Sequence, residues 1–512
     1  MFEKIKIPIT IIAVVFLLSS TIFFSTNLLK DEEEKLEYFT SYIEKVMNLW
    51  EVPGIAFGIV DSSGNTYTHG FGVRNLETGG NVDENTVFQI GSTTKAFTSF
   101  LIGKLIEDSV INWNDKVKEH VSNFELSDKK VTEEFLINDL MVHHSGMPQN
   151  AGDLMGILGL SRDEIINNMK FIELKHKFRC DFSYVNNLFT VAEKIIEEKT
   201  GKSYEENLKN RIFDKLDMKN SSVGNETFLY GDNVVSTYSR VHFKDNKGEK
   251  DYYFEFDPDS FLFKNSPYNF KAAGGINSNI SDMLKWILMH LNKGKYRSTQ
   301  IIDTKILEYL YKPQSIISMD SNTSSCYAQG WEVVETINGL IINHNGTTDG
   351  CESYVGFMPE YGIGIVFLSN LTTPVDVTTI LANDFFNLYV RGEKSEIALK
   401  VFEVYDHKKM EDLSCNYQIK DPKLYTGTYT NDFYKEVKFI YEEGKHSLII
   451  GPHNTKFNCI PQSENSFKIT CLEFGSTVLG NMTFKNLKES EKTVMKIDFS
   501  DEEGTGDFKK IH

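Results

Sequence analysis

Ser92-Thr93-Thr94-Lys95 sets a hydroxyl and an amine three residues apart at the head of an apolar run. A serine hydroxyl is a weak nucleophile and becomes effective only with a base in hydrogen-bond reach. Phe97, Phe100, Leu101 and Leu105 recur at helical spacing, so Ser92 falls on the first turn of a predicted helix and Lys95 shares its face. Burial lowers the pKa of an amine, and a helix N-terminus offers backbone N–H groups to developing negative charge. These residue types therefore permit acyl transfer through a serine ester. Ser-x-x-Lys recurs often by chance, and by itself a capped helix start is the plainer reading. Two further groups change the balance. Tyr184-x-Asn186 stands directly before a run that reads as a helix ending at Gly201, and His344-Asn345-Gly346 follows the strand-like run GLIIN.

Ser-x-x-Lys, Tyr-x-Asn and His-x-Gly, in this order, resemble the serine β-lactamase and penicillin-binding protein superfamily, and the tyrosine motif is similar to that of its class C β-lactamase-like branch. VPGIAFGIV, VFQIGSTTKAFTS, INDLMVHHSGMP, FSYVNNLFTVAEKIIEEKTG, AAGGINSNISDMLKW and GIGIVFLSN extend the resemblance over roughly residues 33–390. The resemblance implies an α/β (α+β) fold: an antiparallel sheet flanked by helices, with an inserted helical subdomain. It implies a hydrolase that acts on an amide or ester of a small molecule or peptide and needs no metal or organic cofactor. Ser92 is then the nucleophile, and Lys95 and Tyr184 share proton handling. Asn186 holds Lys95 and the substrate amide. His344 orients Tyr184 or meets a substrate carboxylate, and Gly346 lets substrate approach the strand. The backbone N–H groups of Ser92 and Thr347 form the oxyanion hole, where losing one donor typically costs about 3 kcal/mol of transition-state stabilisation. The alternative is a catalytically silent scaffold or binding protein on the same fold, which would have no need to keep these residues together. Hydrolysis of β-lactam antibiotics would need a fast deacylating water, and no sequence feature marks one.

Lys199-Thr200-Gly201 spells a third-motif triplet, but it closes a predicted helix, so it reads as a C-terminal cap. His143 and His144 are adjacent and lack a third ligand; HHSGMP reads as a structural turn near the cleft. Three departures from the family pattern stand out: Thr347 where a smaller residue is usual, Asn187-Leu188 after the tyrosine motif, and a formal glycosylation sequon at Asn345-Gly346-Thr347. A glycan there would block the site, so an active enzyme requires it unmodified.

The elements that must position these groups follow from periodicity. Residues 35–48 pattern as an amphipathic helix, and two apolar runs around Ser62-Ser63-Gly64-Asn65 read as a hairpin. Helical patterns dominate residues 100–295. Strands return in CYAQGWEVVE, GLIINHNG, SYVGFMP and IGIVFLSN, with a helix at about 376–390. That order suggests one sheet built from both ends of a segment with helices inserted between. The reading divides the chain into a hydrolase domain at 33–395, a linker at 396–420 and a small antiparallel β domain at 421–512, similar to the lipocalin-like, barrel-like domain appended to some family members.

The 512-residue chain carries a net charge of -18, which disfavours nucleic acid as a partner. Lys4 and Lys6 precede an uncharged stretch, Ile7–Leu29, followed by Lys30 and DEEEK. Residues 1–30 read equally as a signal peptide, with its apolar core at Ile7–Leu17, or as a membrane anchor through residues 7–29. Both place the catalytic domain outside the cytoplasm, secreted or membrane-anchored. None of the six cysteines forms a Cys-x-x-Cys pair; Cys459 and Cys471 lie in the strand-like runs KFNCI and FKITCLEF and could bridge locally, while free buried cysteines are at least as plain a reading for the other four.

Overall fold

A computed structural model describes residues 32–511 apart from 322, 406–410, 415–416, 472, 474–476, 486–492 and 499–505. The signal-peptide or anchor stretch lies outside the described residues, as does Cys415. Among the described residues no helix is long and apolar enough to cross a membrane.

A nine-stranded antiparallel sheet is built from both ends of residues 54–369. Its strands are β1 (Gly54–Asp61), β2 (Thr66–Asn75), β3 (Gly79–Asn81), β4 (Ser315–Met319), β5 (Ser324–Tyr327), β6 (Glu332–Thr336), β7 (Gly339–Thr347), β8 (Glu352–Met358) and β9 (Ile363–Ser369), in the order β4-β5-β6-β7-β8-β9-β1-β2-β3. The N-terminal hairpin joins the C-terminal strands through β1 and β9, with Ile55 opposite Ser369 and Asp61 opposite Ile363.

Both central strands are covered on both faces, and the period of two sorts their side chains. Ile55, Phe57 and Ile59 enter one core and Ala56 and Val60 the other. The first core is roofed by helices Glu32–Trp50, Val377–Arg391 and Ile397–Val404; the Trp50 indole donates to Ala398 O at 3.2 Å. The second core is shared with the inserted helices. Helix Ile280–Leu291 presses directly on the sheet at Gly58 and Gly364, where a Cβ would fall 2.4 Å from Ile280 and 2.2 Å from Ile287. From its other side Trp286 stacks on Phe97 of the Ser92 helix at 4.0 Å between ring centroids. Phe100 of the same helix meets Trp286 edge-on at 5.3 Å, so the two rings clamp that helix to the sheet through Trp286.

Residues 427–510 form a closed barrel of eight antiparallel strands in sequence order. Eight strands leave an interior that side chains just fill, and Tyr429, Phe439, Phe457, Phe467, Phe484 and Phe508 are buried there. Cys459 and Cys471 are buried and not bridged to each other, so the local disulfide reading is corrected. The two residues sit on adjacent strands, but Cys459 pairs with Ile469 and Cys471 with Thr477, so the sulfurs are not opposite each other. The barrel seats on the inserted helices: the His453 ring lies 4.7 Å from Phe261, and Lys435 sits 4.7 Å above the Phe171 ring. Phe97→Ala is expected to lower stability by about 3–5 kcal/mol, measured as a fall in the denaturant midpoint without change in the secondary-structure spectrum.

Candidate active site

Ser92 lies in a short 3-10 turn, Gly91–Thr93, that runs into helix Thr94–Glu107. Lys95 follows one turn later and is wholly buried. Its amine donates to Ser92 Oγ at 2.9 Å and to the Ala273 carbonyl at 2.9 Å. It also sits over the Tyr184 ring at 4.7 Å and the Phe189 ring at 5.4 Å. An ammonium gains electrostatically from such ring faces, and a buried amine otherwise carries a desolvation penalty.

Tyr184 precedes helix Asn187–Thr200, with Asn186 at its N-cap position. The Tyr184 hydroxyl faces the Ser92 side chain, and burial raises the phenol well above its ordinary range, with the Asp153 carboxyl adding to the rise. The phenol therefore holds its proton at neutral pH. Asn186 directs its amide nitrogen to Asp153 Oδ2 at 2.8 Å. Asp153 is half-buried: its Oδ1 is shielded from solvent without a hydrogen-bond partner, and burial pushes the carboxyl up to about 7.

Strand β7 brings the third group. Its partner β6 stops opposite Asn343, so residues 344–347 run beyond that pairing and turn an edge toward the Ser92 turn. The approach is close. A Cβ on Gly346 would fall 2.1 Å from Ile90 O and 2.9 Å from Ser92 N, and one on Gly91 2.8 Å from Thr347 N. Gly91 also holds φ +50, a region that suits glycine. His344 is buried; Nδ1 meets Asn345 O at 2.5 Å and Nε2 meets the Tyr327 hydroxyl at 2.7 Å. A carbonyl only accepts, so Nδ1 carries the proton and, in the neutral ring, Tyr327 donates to Nε2. The Asn345 amide is held by Asp376 at 2.6 Å.

Ser92, Lys95, Tyr184, Asn186, His344, Gly346 and Thr347 thus come together. Ser92, Tyr184, Asn186 and Thr347 are partly exposed, whereas Lys95 and His344 lie behind them. Gly201 caps helix Asn187–Thr200 in the left-handed conformation, as its position at a helix end implied. His144 is tied to Asp139 at 2.8 Å, which Arg179 also binds. His143 accepts from Val185 N at 3.1 Å and packs its ring 4.1 Å from Tyr184. Burial keeps its pKa far below the ordinary value, so it is a neutral wall of the site.

Sequence reasoning did not single out Asp153, Tyr327 or the Ala273 carbonyl. Tyr327 stands near the start of the strand-like run CYAQGWEVVE, which gave no hint of a polar partner, and a backbone carbonyl leaves no side-chain signal. Asp153 follows Gly152 in a loop without periodicity.

The Beta-lactamase family model matches residues 40–385, well over half of the chain. The protein belongs to the Beta-lactamase family. Among its family relatives, Unguisins hydrolase ungD' of Aspergillus campestris is 24% identical over 473 residues, 86% of this chain and 85% of that protein. Unguisins hydrolase ungD of Aspergillus violaceofuscus is 25% identical over 65% of this chain and 61% of its own length. Protein flp of Staphylococcus aureus strain MW2 is 24% identical over 68% of this chain and 65% of its own length. The octameric penicillin-binding protein homologue from Pyrococcus abyssi superposes with a TM-score of 0.59 at 22% identity, over 93% of this chain and 100% of that one.

Two outcomes follow from the packing. Gly346→Ala should force β7 off Ile90 and destabilise the fold by about 1–3 kcal/mol, read as a lowered melting temperature. Asp153→Asn should stabilise the protein more at pH 8 than at pH 5. The folded carboxyl titrates near 7 and the unfolded one near 3.9, so the native state loses stability as pH rises between them. The neutral side chain removes that loss, and the difference in stabilisation between the two pH values should reach about 2 kcal/mol.

Proposed function

We propose that the protein is a serine hydrolase that works through an acyl-enzyme on an amide or ester carbonyl. The observation that carries this reading is the 2.9 Å hydrogen bond from Lys95 Nζ to Ser92 Oγ, beside a Tyr184 hydroxyl that meets the same serine. Membership of the Beta-lactamase family and relatives named as hydrolases support hydrolase chemistry at the family level.

In this reading Lys95 enters as the free amine and takes the Ser92 proton while Oγ bonds to the carbonyl carbon. The oxyanion develops beside the Ser92 and Thr347 N–H groups. Tyr184, protonated at neutral pH, gives its proton to the leaving nitrogen or oxygen as that bond breaks, and Lys95 returns a proton to Tyr184. Water then attacks the ester, the Lys95–Tyr184 pair accepts its proton, and Ser92 is released with its hydroxyl restored. His344, bound to Tyr327, braces the strand behind this exchange rather than entering it. No step calls on a metal or organic cofactor.

The unguisins hydrolase matched over most of its length makes unguisins a substrate set to screen beside D-amino peptides, β-lactams and esters. The charge pattern around residues 7–29 supports a catalytic domain outside the cytoplasm, secreted or anchored.

The test is intact mass after incubation with a fluorophosphonate probe. One adduct is expected on the wild type and none on Ser92→Ala. No adduct on folded wild type would favour the silent-scaffold reading. Tyr184→Phe should retain the fold and slow ester turnover by about 100-fold or more, followed by steady-state kinetics on the ester that the wild type turns over.

A further inference from the structure

The chemistry above leaves unused the segment that closes the cleft beside Tyr184, residues 150–159. This segment is sewn to the tyrosine motif by its backbone. Asn150 N donates to Tyr184 O at 2.7 Å, Asp153 N donates to Asn150 O at 3.0 Å, and the Asn187 amide donates to Ala151 O at 2.6 Å. Gly152 turns the chain at φ 78, and a Cβ there would fall 2.8 Å from Asn187 Nδ2. Asp153 emerges from that turn facing Asn186. The segment is also backed by the barrel. Gly451 lies against Leu158, and a Cβ on Gly159 would fall 2.9 Å from the His453 ring.

Inside this setting the Asp153 carboxyl is an expensive choice. One oxygen accepts from Asn186, and the other is buried with no partner. A buried polar atom left unpaired is destabilising. A residue that breaks local satisfaction without any packing gain is a candidate for function. Oδ2 accepts from the Asn186 nitrogen, and an accepting oxygen at that point distinguishes the two ends of the neighbouring amide, which an aliphatic wall could not do.

We propose that Asp153 is a positioning residue for acylation: it holds the Asn186 amide with nitrogen toward the 153–157 helix, leaving the amide oxygen for Lys95 or the substrate. Without it the amide is free to turn over, and a donor replaces the acceptor at the place where the reacting groups assemble. A misdirected group of this kind costs about 10- to 100-fold in rate. The inference rests on the serine hydrolase reading.

The test compares second-order rates of Ser92 labelling by a fluorophosphonate in the full chain, for wild type, Asp153→Ala and Asp153→Asn, with thermal melts as a check on folding. D153A is expected to label 10- to 100-fold more slowly than wild type at an unchanged fold. D153N keeps a carbonyl acceptor for the Asn186 N–H and should recover labelling to within a few-fold of wild type, a rescue that a purely structural loss would not produce. D153A labelling at the wild-type rate overturns the inference, as does D153N labelling as slowly as D153A. If D153A does not fold, the D153N rate alone decides, with recovery expected and a 10-fold loss overturning it. A wild type that takes no label removes the hydrolase reading and this inference together. A labelled wild type beside an equally labelled D153A removes this inference alone.

Discussion

The amine of Lys95 has no exposed surface, and it reaches Ser92 Oγ and Ala273 O at 2.9 Å each. Placing an ionisable amine in a protein interior is unfavourable unless every neighbour is arranged for it. The neighbours here come from distant parts of the chain: a carbonyl from the 271–274 turn, the ring faces of Tyr184 and Phe189, and the serine one helical turn back. That single requirement explains why helix Thr94–Glu107 is buried almost all round. It is a central element held to the sheet through Phe97 and Trp286.

The second constraint is the distance between the Ser92 turn and β7. Backbone must lie against backbone there for N–H groups from both segments to converge on one oxygen. Gly346 and Gly91 meet it by having no side chain at the two points of closest approach. The pairing pattern contributes as well, because β6 stops before residues 344–347 and leaves that edge of β7 turned to the Ser92 turn. A longer β6 would have consumed the same edge in ordinary sheet bonds.

The barrel is joined to this centre by packing. Its interior is filled with aromatic and aliphatic side chains, and its turn at 451–454 rests on Leu158 and Gly159, just past the Asp153 helix. Helix Ile397–Val404 and the short pairing of Glu411 with Phe243 tie the intervening chain to the hydrolase segment as well. Substitutions in the barrel turn can therefore reach the cleft through the 153–159 segment without touching substrate.

Much of this was legible in one dimension. Alternation in the strand runs and the 3.6-residue period around Phe97 and Leu101 carry the sheet and the Ser92 helix, because burial on one face imposes that period directly on the chain. The three motifs mark Ser92, Lys95, Tyr184 and His344 as candidates, since nucleophiles, proton carriers and their supports are drawn from few residue types. Pairings between remote residues were not legible: Asn186 with Asp153, His344 with Tyr327, and Lys95 with the Ala273 carbonyl. Cys459 and Cys471 make the same point, being neighbours in sequence pattern yet offset in register. Sequence by itself determined which groups could react and which local elements carry them. Only the tertiary structure decided which partner each group meets, because a hydrogen bond depends on distances of tenths of an ångström that the packing of the whole core sets.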